Sequence, residues 1–197
     1  MPYQDDLEAS RRTLAPIVGQ LSMSIEIRPM TEENLPFFGE CEVDQTITVQ
    51  SELDEGAIAD GETEPFDWMD LGDVRANFSV LIGADEVVLE AAEATLALTY
   101  PLHTAATRVI RPSNGKAFTR GELLKLIEET YQEVYRLETN SQSSPTPPVL
   151  ERGSPINRPE SDGIFGIWGH DLSDLGVSDI IVYRIDGRVW LDLNMES

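Results

Sequence analysis

The sequence predicts an α+β protein: a mainly antiparallel sheet packed against one principal helix over residues 119–138, with a C-terminal β-hairpin over 180–193. Three observations carry that prediction. Leu123, Leu124, Ile127, Tyr131, Val134 and Tyr135 recur at steps of three and four, which puts them on one helical stripe. Several short runs elsewhere alternate apolar and polar residues, the period of a half-buried strand. Finally, two β-rich runs, 180–185 and 188–193, flank Asp186-Gly187, a pair that tolerates the positive φ angles of a type I′ turn.

The chain divides in order. Residues 1–53 hold a short helix at 6–19, interrupted by Pro16, and two strands. In the first, 22–28, Met23, Ile25 and Ile27 alternate with polar residues and Pro29 ends the run. The second lies within 42–53, where Val43, Ile47 and Val49 oppose Thr46, Thr48 and Gln50. These two are expected to pair with each other. Residues 54–73 are acidic and glycine-bearing without a sustained period, and read as a long loop or disordered insert.

Residues 74–140 form the core in this reading. An apolar strand at 78–82, a turn at 83–86, a segment at 87–94 of mixed helix and strand preference, and strands at 95–102 and 108–111 lead to a turn at Ser113-Asn114-Gly115. Thr119 followed by Glu122 is the spacing of a capping box. Lys125, Glu128, Glu129, Gln132, Glu133 and Arg136 form the outer helix face, with Lys125 and Glu129 placed to pair. Residues 141–162, with four prolines between 145 and 155, read as a flexible linker, and 163–197 as a glycine-aromatic loop followed by the hairpin.

Net charge is −22 and uneven: residues 1–74 hold eighteen acids against three arginines, residues 75–197 eighteen acids against eleven bases. Such a surface argues against direct binding to nucleic-acid backbones or anionic membranes, both of which need cationic contacts. It fits a protein partner with a basic or apolar-groove surface. Acid excess with only two lysines also fits a high-salt environment. No apolar run approaches the ~20 residues of a membrane span, and the first residues lack a secretory signal pattern. A soluble, intracellular protein is expected. The single Cys41 excludes an intramolecular disulfide and reads as a small buried apolar residue.

Two stretches stand out as candidate sites. In 65–71, Phe66, Trp68, Met69 and Leu71 are separated by aspartates, the pattern of an acidic segment that keeps apolar anchors in water and steers them to a basic-rimmed groove. The competing reading is that Trp68 docks this loop on its own core. In 163–171, glycines among aromatics predict an irregular loop whose backbone closely approaches something. Here Trp168, His170, Asp171 and Asp174 form a possible site. His170 with Asp171, Asp174 and Asp179 could be drawn as metal ligands, but Asp171 also fits a cap for the turn that Gly176 ends.

No catalytic residue is assigned, and no metal or other cofactor is implied. There is no nucleophile elbow, no phosphate-cradling glycine loop and no local signature around Cys41. The expected function is that of a non-catalytic protein-interaction protein, an adaptor or accessory, with the 66–71 anchor on an acidic surface. Two alternatives are an acidic mimic that blocks a basic nucleic-acid-binding surface, and an enzyme or metal-binding protein with its site near 168–174.

Overall fold

The computed structural model describes residues 25–31, 34–53, 55–72, 78–153 and 157–197. The helix expected at 6–19, and most of the strand expected at 22–28, lie outside these residues. The described elements are β1 (Arg28–Met30), β2 (Val43–Thr48), α1 (Glu55–Ala59), β3 (Met69–Asp70), β4 (Val87–Leu89), β5 (Ala94–Leu98), β6 (Ala105–Ile110), β7 (Phe118–Thr119), α2 (Arg120–Ser141), β8 (Gly176–Ile185) and β9 (Arg188–Glu196). The architecture is α+β, as the patterns predict.

Seven strands form one mixed sheet in the order β1-β6-β5-β9-β8-β2, with β3 also pairing β8. All pairs in it are antiparallel except β5 with β9. The predicted hairpin is longer than its apolar runs, and Asp186 and Gly187 turn it at φ 50 and φ 75. β9 is a central strand, so the hairpin is part of the core.

The two N-terminal strands do not pair with each other. β1 lies on β6 and β2 on β8, at opposite edges of the sheet. Alternation fixes which face of a strand is apolar, not which neighbour it takes. Pro29 sits inside β1, and that position is tolerated because an edge strand leaves one side without ladder partners.

Helix α2 covers one face. Thr119 caps it by accepting from the Glu122 amide at 3.2 Å, but the Glu122 carboxylate accepts from the Ser113 amide instead of reaching back to its cap. Leu123, Leu124, Ile127, Tyr131 and Val134 are fully buried against Leu96, Leu98, Ile110, Val182 and Leu191. Each such side chain stabilises by roughly 1.5–3 kcal/mol relative to exposure. The outer helix face is less solvated than its composition predicts. Glu128 and Glu138 are buried, and Glu129 approaches Arg108 of β6 at 3.6 Å, so Lys125 is not its partner.

On the other sheet face a smaller apolar cluster forms. Tyr183 and Trp190 lie beneath the segment 35–41, with Phe38 stacked on Tyr183 at 4.8 Å between ring centres and half-buried Cys41 alongside.

Three segments differ from what their sequences predict. Residues 78–82 form a helical turn, Phe78–Val80, in place of a strand, because the Phe78 ring packs over Gly121 at the start of α2. Residues 80–82 then pair irregularly with 50–52. In the acidic stretch, α1 and β3 are formed and 66–71 is tied to the sheet. The described parts of 141–162 are also docked: Arg152 and Arg158 side chains are 7% and 8% exposed, and Ser161 is buried. Among the described residues no helix is long and apolar enough to cross a membrane.

Candidate functional site

The segment around Trp68 is extended, not helical. Phe66 and Ser51 exchange backbone hydrogen bonds at 2.9 and 3.0 Å, the Ser51 hydroxyl donates to the Trp68 carbonyl, and Met69 and Asp70 pair with Val177 and Gly176 of β8. Period-two alternation follows from this geometry. Met69 and Leu71 point inward and are 1% and 0% exposed, so the two innermost predicted anchors belong to the core. Phe66 is half-buried, while Trp68 is 42% exposed with its ring tilted against Phe66 at 6.3 Å. Alternate residues of the stretch thus differ: Met69 and Leu71 dock on the core while Trp68 stays exposed.

Trp68 is seated on glycine. A Cβ at Gly176 would fall 2.7 Å from its ring, so only glycine lets the indole lie against the β8 backbone. The ring forms a ridge between two clefts. One, of about 300 Å³, is lined by Trp68, Asp70, Ser173, Asp174 and Glu196. The other, of about 330 Å³, is lined by Ser51, Glu52, Phe66, Trp68 and Val80. The first joins the two candidate loops: Asp174 meets Trp68 there. Among the described residues, Asp70, Asp174 and Glu196 form no ion pair.

The rest of the second loop serves other roles. The backbone of 161–167 wraps the Glu138 carboxylate, which accepts from the Ser161 hydroxyl at 2.5 Å, the Gly163 amide at 2.9 Å and the Phe165 amide at 2.7 Å. This is the close approach that the glycines signal. Trp168 and His170 join Tyr100 in a ring cluster, with centroids 5.2 and 5.6 Å from Tyr100. Tyr135 donates to the His170 carbonyl at 2.9 Å, and burial raises its phenol pKa. Asp171 accepts from Arg152 at 2.5 and 3.0 Å and from Arg158 at 3.1 Å. Those guanidiniums hold its carboxyl below the usual range. Asp171 stands at the predicted cap position of the turn Leu172–Asp174, and Asp174 accepts from its amide at 2.9 Å.

Among the described residues, no three His, Cys, Asp or Glu side chains are placed to share a metal ion. Asp171, the carboxylate nearest His170 in sequence, is already occupied by two arginines.

The sequence marks Gly176 only as the end of a turn, and it does not mark Glu196 at all. They face each other at the open end of the hairpin, where a bulge between Val177 and Asp179 shifts by one residue the register that the Asp186-Gly187 turn sets, so the turn alone does not pair them. That β3 brings Trp68 to the same place depends on a two-residue pairing too short to read. No family model matches the chain, and no curated protein or solved structure matches it either.

Proposed function

We propose that the protein is a non-catalytic interaction protein, an adaptor or accessory, that receives a basic side chain of a protein partner in the cleft beside Trp68. The observation that carries this reading is a half-exposed indole surrounded by Asp70, Asp174 and Glu196, none of them ion-paired among the described residues. A guanidinium or ammonium over an exposed indole gains about 0.5–1 kcal/mol, and charge-assisted hydrogen bonds to carboxylates add about 1.5–3 kcal/mol each. A net charge of −22 steers such a partner toward the protein before contact.

The test is calorimetric titration with an arginine-bearing peptide and with the same peptide carrying norleucine in place of arginine. The arginine peptide is expected to bind, more weakly after Trp68→Ala or Asp174→Asn. Equal affinity for both peptides, or binding indifferent to Trp68→Ala, would overturn the reading. Binding of basic partners that weakens steeply with salt but ignores Trp68 would instead favour the acidic-mimic alternative.

A further inference from the structure

We propose that the sheet face opposite α2 carries a second site, for a ligand with two or more carboxylate or phosphate groups, held by Arg28, Arg111 and Arg188 around Trp190. The groove there has a volume of about 520 Å³. It lies at the start of β9, the far end of that strand from Glu196 and the Trp68 cleft.

Register places the three arginines. Thr95 of β5 stands opposite both Val109 of β6 and Trp190 of β9, so these three make one row across the outer face. Just past these ladders Arg111 pairs with Glu93, and Arg111 and Arg188 both line the groove. On the other side, Arg28 of β1 stands opposite Thr107. The floor is Trp190, only 9% exposed, with Val109 half-exposed beside it. This is an apolar base with cations at its rim.

The cations are undersatisfied. Arg188 makes no side-chain hydrogen bond or ion pair among the described residues. Arg111 pairs with Glu93 at 2.9 Å and Arg28 with Glu26 at 2.6 Å. All four of these side chains are well exposed, and such exposed pairs are weak and easily exchanged. Glu93 is a single carboxylate that engages Arg111 and not Arg188 among the described residues. A ligand with two anionic groups can engage Arg111 and Arg188 together through their planar forks while its body lies on Trp190. Negative charges of the chain that lie farther from the groove than the Debye length, about 8 Å at physiological salt, are largely screened from it. That four of the fourteen bases of so acidic a chain line one groove, with only the Arg108 guanidinium turned to α2, is what points to an anion.

The probes are pyrophosphate and citrate, titrated separately into the isotope-labelled full chain, with sodium chloride at matched ionic strength as control. Saturable amide shifts are expected at Arg28, Thr95, Arg111, Arg188 and Trp190. The Arg111→Gln/Arg188→Gln double variant should bind about tenfold or more weakly, with unchanged melting temperature and unchanged arginine-peptide binding at Trp68. A response to pyrophosphate alone would assign a phosphate ligand, and one to citrate alone a carboxylate ligand. Shifts matched by sodium chloride, or wild-type affinity in the double variant, would overturn the proposal.

Discussion

The Glu138 carboxylate lies so close to Gly163 that a Cβ added to that glycine would fall 2.4 Å from its carboxyl carbon. A side chain at the last turns of α2 thus serves as the template on which residues 161–167 are folded. Glu138→Ala should lower unfolding free energy by roughly 3 kcal/mol or more, since it strands the Phe165 and Gly163 amides and removes the nearest acceptor of the Ser161 hydroxyl. Gly163→Ala should lower it by about 1–3 kcal/mol through overpacking. Urea denaturation of the two variants and the double variant checks both. The effects should be strongly non-additive because the residues touch.

Gly176→Ala attacks the seat of Trp68. The indole can move outward while the β8 backbone cannot, so the substitution should shift tryptophan emission to the red and weaken arginine-peptide binding. Stability should fall by only about 1 kcal/mol. Fluorescence and thermal melts measured on one sample separate displacement of Trp68 from loss of the fold.

Asp171 gives an acid-sensitive contribution. Hydrogen bonding to Arg152, and then to Arg158, depresses its carboxyl below the unfolded value of about 3.9. A depressed folded pKa contributes stability that is complete above the unfolded value and lost as pH falls through the folded one. Asp171→Asn should therefore destabilise by roughly 1–3 kcal/mol at neutral pH, with the two proteins converging below about pH 4. Chemical denaturation across pH 2–7 checks this, on the scale set by reference carboxylate pKa values of about 4.

Asp192 works in the opposite sense. Burial raises its carboxyl, and its Oδ1 is shielded from solvent with no hydrogen-bond partner among the described residues. A raised folded pKa means its contribution is most favourable below the unfolded value and is lost as pH rises through the folded one. Asp192→Asn should raise stability at neutral pH by about 1 kcal/mol, an advantage that disappears below about pH 4. Equal stability of the two proteins at pH 7 would refute it.

What could be read in the sequence was local. The apolar stripe of α2, its Thr119 cap and the Asp186-Gly187 turn each depend on neighbours a few residues apart, and each is present. What could not be read depends on long-range pairing. The placing of β1 and β2 at opposite edges, the parallel junction of β5 with β9 and the docking of 141–162 through Arg152 and Arg158 leave no periodic trace.

Glu138 shows the limit most plainly. A glutamate near a helix end reads as solvated, and only the backbone that returns over it makes it a buried acceptor. The candidate site divides the same way. Composition marked Trp68 and Asp174, but not that Met69 and Leu71 would turn inward or that Glu196 would complete the cleft.

The parallel seam between β5 and β9 bears on how the chain is made. β5 is synthesised well before β9, with the whole of α2 and its return loops between them. Until β9 arrives, Leu96 and Leu98 belong to a strand with an open edge, and β8 lacks its hairpin partner. Such an edge is a template for wrong pairing, and distant contacts slow the closing of a sheet. The heavy negative charge of the first half of the chain keeps neighbouring nascent copies apart during that wait.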